Sequence, residues 1–327
     1  MRSKGSRVGR QKILKALHQY QSFLISTHVN PDADGLCSEL ALALYLKSIG
    51  KQVRILNEEK FQKMYTFLPY GQLIQKVGAY PVHCQAAIVV DCGDLDRIGK
   101  VKDILGEETV IINIDHHVTN DSFGDLNLVK PHASSTAEVI YELFKKDRFK
   151  ITKDIALLLY LGIMTDTGSF RYDNASANTH AIVSDLLKFK FSVSHWYKTI
   201  YENISYKDFE RFNLLLRDLK LTHWGRVASL VLRKEIAGAF SKDFDLRDKI
   251  FSFIRSIREV ELVVIFTEVN QQETRINFRS KQRVNVAALA AHFGGGGHER
   301  ASGCWLKTNY SAAKIKIFER IGGVFKR

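Results

Sequence analysis

The chain has 327 residues, more than the about 100 to 200 residues of a usual single domain, so two domains are expected. Lys and Arg number 48 against 35 Asp and Glu, a net charge of +13 that attracts anions and keeps nucleic acid or a phosphate ester among the candidate partners. Four cysteines without C-x-x-C spacing exclude a disulfide scaffold and point to a reducing, cytoplasmic setting; no apolar run approaches the ~20 residues that span a bilayer, which speaks against a membrane partner.

The N-terminus is basic, with Asp32 its first acidic residue. Lys15 and His18 interrupt any signal-peptide core, so an opening helix is the better reading. Ser22 to Thr27 reads as a buried strand, and Leu36 to Ile49 as a helix bounded by Gly35 and Gly50. Ala86 to Val90 and Val110 to Ile114 are further strand-like runs, and this alternation up to about residue 130 implies a mainly parallel sheet flanked by helices. From 134 to 217 the pattern turns helical, opening on Ser135 to Glu138, which resembles a capping region. Ile155 to Leu161 is an apolar helix, broken abruptly by the polar residues around Asp166. After 218, strands are expected at Val227 to Leu232, Glu261 to Val269, Arg275 to Phe278 and Ala301 to Leu306, with helices at Val286 to Phe293 and near Ser311. The fold class is α/β. An N-terminal domain (residues 1–190) is joined by a helical connector (191–217) to a smaller C-terminal α/β domain (218–327).

Three of the strand-like runs stop on potential ligands. The first leads into His28, Asp32 and Asp34, the second into Asp91, and the third into Asp115, His116 and His117. In an open α/β sheet, ligands bind outside the carboxyl ends of the strands. Asp166 is a seventh candidate ligand beside His28, Asp32, Asp34, Asp91, His116 and His117. So many carboxylates repel one another unless cations neutralise them. Carboxylate and imidazole without thiolate suit Mn²⁺ or Mg²⁺ better than Zn²⁺ or Fe²⁺, and a shared Asp can hold two ions about 3.5 to 4 Å apart.

The glycine run Gly294, Gly295, Gly296 and Gly297 lies between a helix and a strand, inside a domain rather than in a linker. There it can turn N–H groups toward an anion. Arg279, Ser280 and His298 would add donors to phosphate or ribose, and no Gly-Lys-Ser/Thr follows to make a P-loop. Trp196, Tyr197, Tyr201 and Phe209 have helical spacing and read as packing residues, not base-stacking ones.

These residues carry a family resemblance. His28-x-x-x-Asp32-x-Asp34, Asp91, Asp115-His116-His117 and Thr165-Asp166-Thr167-Gly168 resemble the four ordered motifs of the DHH phosphoesterases. The glycine run with His298, Ala301, Ser302 and Gly303 resembles the motif of their DHHA1 domain, so the likeness spans nearly the whole chain. It implies a catalytic DHH domain and a substrate-binding DHHA1 domain, with two Mn²⁺ ions, or Mg²⁺. His28 and Asp32 would hold one ion, Asp34, His116 and Asp166 the other, and Asp91 would bridge them. It further implies that His117 contacts the scissile phosphate, that Asp115 supports the imidazoles, and that Arg279, Ser280, the glycines, His298 and Ser302 bind substrate. Cys37 stands where glycine is common and Ser302 where alanine is common, and neither change removes a ligand.

With no membrane span and no room for extra domains, the chain is similar to the compact nanoRNase type. That similarity implies hydrolysis of very short oligoribonucleotides to mononucleotides, removal of the 3′-phosphate of adenosine 3′,5′-bisphosphate (pAp), and a homodimer. Three readings compete: a family II-like inorganic pyrophosphatase, a single-strand exonuclease acting on longer strands, and a non-catalytic nucleotide- or RNA-binding module.

Overall fold

A computed structural model describes residues 4–80, 82–241, 244 and 246–325, with the side chains of residues 4–8, Asp248 and His298 outside that description. The chain divides between Ile200 and Tyr201 into two compact units.

The first unit is built on six strands: β1 (Ser22–Ser26), β2 (Gln52–Asn57), β3 (Ile74–Lys76), β4 (Ala86–Val90), β5 (Val110–Asp115) and β6 (Leu126–Val129). All pair in parallel, in the order β3-β2-β1-β4-β5-β6. The helices are α1 (Lys4–Gln19), α2 (Ala33–Ser48), α3 (Thr136–Lys146), α4 (Lys153–Asp166), α5 (Ala177–Leu187) and α6 (Val193–Tyr201). From β1 the chain builds outward to β2 and β3 on one side, then returns to lay down β4, β5 and β6 on the other. The switch point therefore lies between β1 and β4, where loops leaving the carboxyl ends diverge and open a crevice.

Local chemistry explains these elements. Every residue of β4 is buried, as expected of a central parallel strand covered on both faces. In α4, every residue from Ile155 to Met164 is buried, and α2 is nearly as apolar around its circumference. Such helices belong inside a core, and α2 and α4 pack against each other. Trp196 of α6 tilts against Phe67, with ring centroids 6.2 Å apart.

Two boundaries differ from the sequence reading. Helix α2 begins at Ala33 rather than after Gly35, because Asp32 is its N-cap and accepts hydrogen bonds from the Asp34 and Gly35 amides. Helix α4 does not break at Gly162 but runs through Asp166; Thr165 and Thr167 return their hydroxyls to carbonyls one turn earlier and so carry the polar end.

The second unit contains α7 (Tyr206–Leu216), β7 (Lys220–Thr222), β8 (Val227–Leu232), α8 (Lys234–Ala239), α9 (Leu246–Arg255), β9 (Leu262–Asn270), β10 (Glu273–Ser280), α10 (Val286–Ala291), β11 (Gly296–His298), β12 (Ala301–Leu306) and α11 (Tyr310–Val324). Its sheet order is β11-β12-β10-β9-β8-β7, antiparallel except for β8 with β9. One face packs Ile276, Phe278 and Cys304 with residues of α10 and α11. The other packs Val263 and Ile265 with Ile250, Phe251 and Ile254 of α9.

Candidate metal centre

Strand ends position the charged side chains. Beyond β1, His28 sets Nδ1 2.9 Å from the Val29 carbonyl oxygen. Beyond β5, His116 sets Nδ1 3.4 Å from the Ala133 carbonyl oxygen. Donation from Nδ1 in both rings directs Nε2 and its lone pair the other way, the tautomer a metal ligand needs. Beyond β4, Asp91 adopts φ 54°, a left-handed conformation that Asp tolerates better than most residues, and it is 2 % exposed.

These residues fall into groups whose ligand atoms lie within 4.8 Å of one another: His28, Asp32 and Asp91; Asp34, His116 and Asp166; and Asp91, His116 and His117. Asp91 is shared. His28 Nε2 stands 3.8 Å from Asp91 Oδ2, and His116 Nε2 stands 3.5 Å from both Asp91 Oδ1 and Asp166 Oδ2. Asp115 stands outside all three groups: one oxygen accepts the His116 amide and His117 Nδ1, each at 2.7 Å, and the other accepts Asn120 Nδ2 at 2.6 Å. Wholly buried, Asp115 orients the His117 imidazole and holds the His116 backbone.

Residues 22–163 match the DHH family, N-terminal domain, and residues 236–323 match the DHHA1 domain. The chain is a DHH-family protein with a DHHA1 domain. It is 29 % identical over 307 residues to the bifunctional oligoribonuclease and PAP phosphatase NrnA of Thermus thermophilus, covering 90 % of this chain and 87 % of that one. The protein of the same name from Bacillus subtilis is 27 % identical over 307 residues, with 93 % and 95 % covered. The crystal structure of an exopolyphosphatase-related protein from Bacteroides fragilis superposes with a TM-score of 0.87 at 26 % identity, covering 96 % of this chain and 95 % of that one.

The electrostatics of the DHH domain fit cations. Burial, then Asp91, Asp166 and Asp32, push the Asp34 carboxyl well above the usual carboxylate range. Burial and Asp32 raise Asp91, and burial with Asp32 and Asp91 lifts Asp166 to about 7 against the pull of His116. Three carboxylates that resist ionising together, Asp34, Asp91 and Asp166, are stabilised as anions by a divalent charge among them. With two outward-turned imidazoles and no thiolate in the groups, the donor set fits hard or borderline divalent ions. Cys37, the departure from the first motif, is fully buried, and burial raises its thiol well above the ordinary value, so it is a core residue.

Several residues of the DHH site were not singled out in the sequence. Thr136 donates its hydroxyl to Asp91 Oδ1 at 3.0 Å and its amide to Asp34 Oδ2 at 2.6 Å, and the Ala137 amide reaches Asp34 Oδ1 at 3.0 Å. The N-terminus of α3 thus holds the Asp34 carboxylate, as helix N-termini hold anions. The capping signal at Ser135 to Glu138 marked this helix start, with Ser135 as N-cap, but not what it faces. Behind β1, Asn57 accepts the Thr27 amide at 3.3 Å and donates to Glu39 at 3.0 Å, tying the end of the strand to α2.

In the DHHA1 domain the glycine run takes several conformations. Gly294 (φ 72°) ends α10, with the Gly295 amide returning to the Ala290 carbonyl. Gly295 lies where a Cβ would stand 2.2 Å from the Gly303 carbonyl oxygen, and Gly296 and Gly297 enter β11. The Arg279 guanidinium lies 4.7 Å from the Phe251 ring centroid. Ser280 and Ser302, expected from the sequence to meet substrate, are both buried and donate inward, to the Val284 carbonyl at 2.6 Å and the Val286 carbonyl at 2.5 Å. Their hydroxyl protons pin the loop and α10 to the sheet. His298 contributes its backbone to β11, and its side chain lies outside the described residues.

Proposed function

We propose that this protein is a metal-dependent phosphoesterase that hydrolyses very short oligoribonucleotides to mononucleotides and removes the 3′-phosphate of pAp. The observation that carries the reading is the pair of His and carboxylate groups sharing Asp91 at the switch point of the sheet. The NrnA relatives, similar over about nine-tenths of the chain, direct it to these substrates.

His28, Asp32 and Asp91 would hold one divalent cation and Asp34, His116 and Asp166 a second, with Mn²⁺ the proposed ion and Mg²⁺ the alternative. Bound there, the cations supply Lewis-acid stabilisation of charge on a phosphoryl group and an activated water. The chain's own residues set the geometry. Asp32 commits Oδ1 to capping α2, which fixes the carboxylate plane. Thr136 and Ala137 fix both oxygens of Asp34. Burial works to lower the His117 pKa, but Asp115 and Asp91 raise it to about 9, so the ring is cationic at neutral pH. With Nδ1 engaged by Asp115, His117 would meet a phosphate oxygen through Nε2. In the DHHA1 domain, Arg279 is the proposed contact to phosphate of the bound nucleotide.

The test is Mn²⁺-dependent hydrolysis of 5′-phosphorylated RNAs from dinucleotide to about twenty nucleotides, with pAp and pyrophosphate in parallel. Rates highest on the shortest RNAs, together with turnover of pAp, support the reading. Equal rates on long strands, or turnover of pyrophosphate alone, overturn it.

A further inference from the structure

The sheet of the second unit is covered on one face along its length, but on the other only in part. The burial of β10 alternates, with Arg275, Asn277 and Arg279 on the less buried face. Across the ladder these residues pair with Trp305, Gly303 and Ala301 of β12, and Gly303 pairs with Gly296 of β11. Directly paired residues share a face. The strip over β12 and β11 thus carries Gly303, Gly296 and Ala301, the last paired with His298 of β11, and is bordered by arginines along β10 and by Trp305 at one end. A Cβ at Gly303 would lie 3.1 Å from Asn277 Nδ2 and 2.9 Å from the Ile276 carbonyl oxygen, so at this position of the floor nothing larger than glycine fits.

Charge and shape on this strip fit one kind of occupant. Trp305 is 52 % exposed, yet one side of its ring is ordered by the Arg275 guanidinium, 5.5 Å from the centroid. A large aromatic left exposed while braced by a cation is a stacking platform. Burial and the neighbouring charge of Arg247 lower the Arg275 pKa. No carboxylate among the described residues lies within ion-pair range of Arg275. Positive charges gathered on one face attract an anion. Arg275 and Arg279 are four positions apart, about 13 Å along the strand, which is longer than one nucleotide.

We propose that this strip is a second nucleotide subsite for single-stranded RNA, in which Trp305 stacks a base and Arg275 pairs with a phosphate beyond the one that Arg279 takes. The proposal rests on the oligoribonuclease reading and deepens it. It gives the DHHA1 domain a means of preferring an oligonucleotide to pAp, which has a single base.

The experiment is the ratio of kcat/KM for an RNA trinucleotide to kcat/KM for pAp, measured on the full chain with Mn²⁺. Trp305→Ala is expected to lower the ratio about tenfold or more, and Trp305→Phe, which keeps a stacking ring, to hold it within about threefold. Arg275→Ala is expected to make the slope of log K against log salt for trinucleotide binding shallower by about 0.7, the share of one single-strand phosphate. A ratio that Trp305→Ala changes by less than about threefold overturns the subsite, whether or not both activities fall together. If the unaltered protein turns over no RNA, the oligoribonuclease reading fails first. The strip is then judged by the fluorescence anisotropy of a labelled RNA trinucleotide: weakening by about tenfold in Trp305→Ala upholds it, and equal binding overturns it.

Discussion

Asp91 combines three properties at one residue: it belongs to two of the three groups of closely spaced ligand atoms, is almost fully buried, and rests in a left-handed backbone conformation. Asp91→Asn keeps the shape and removes the charge, and kcat/KM on pAp is expected to fall about a thousandfold, close to 4 kcal/mol of transition-state stabilisation. Thr136 acts on Asp91 through its hydroxyl. Thr136→Val is expected to weaken Mn²⁺ binding about 10- to 100-fold, read by metal titration, while Thr136→Ser restores it. Glu39 behind the site responds to pH. Burial raises its carboxyl to about 8 despite the hydrogen bond from Asn57, and its Oε1 is buried without a partner. A carboxyl with a folded pKa above its unfolded one binds more protons when folded, so its contribution to stability is full below about 4.5 and is lost as pH rises through about 8. Glu39→Gln is therefore expected to flatten the stability profile between those values by up to about 1.4 kcal/mol per pH unit, measured by urea unfolding.

At the level of elements, the site depends on where helices begin and how closely they pack. Asp32 starts α2, and α3 starts against Asp34, so two helix N-termini face the same carboxylate cluster and offset part of its repulsion. Helix α4 reaches this place because Gly162 leaves room: a Cβ there would lie 2.7 Å from Asp34 Oδ1 and 2.8 Å from Ala137 Cβ. Gly162→Ala is expected to cost about 1 to 3 kcal/mol by overpacking and to abolish the rise in Tm that Mn²⁺ produces. A Tm rise equal to that of the unaltered protein would refute this role for the glycine. The capping signal at Ser135 was legible because an N-cap is a local event, set by a hydroxyl and the amide three residues on. The Gly162 requirement was not, because the atoms it avoids belong to Asp34 and Ala137, distant along the chain.

For the whole molecule, the strand order places the site. Because the sheet builds outward in both directions from β1 and β4, their carboxyl ends form the crevice into which the motifs converge. Ions bound there stabilise the folded chain by mass action, about 2.7 kcal/mol at a hundredfold excess over Kd. Removing metal with a chelator is expected to lower Tm and readdition to restore it; a Tm indifferent to Mn²⁺ would argue against an ion site in the DHH domain. The net charge of +13 is a property of the same scale, and it favours association with polyanions over neutral ligands.

The sequence by itself determined the α/β class, the parallel character of the first sheet, and the motif residues at the strand ends. These are short-range properties: buried strands are continuous apolar runs, and ligands follow them directly. The glycine run was recognisable as lying inside a domain because its flanks had helix and strand periods. Tertiary structure alone decided the rest. It grouped His28 with Asp91, and His116 with Asp166, through strand order. It turned the hydroxyls of Ser280 and Ser302 inward, although a serine next to an arginine or a glycine reads equally well as a donor to substrate. It also set Arg275 opposite Trp305, 30 positions apart, because antiparallel register is fixed by pairing across the sheet and leaves no mark in local composition.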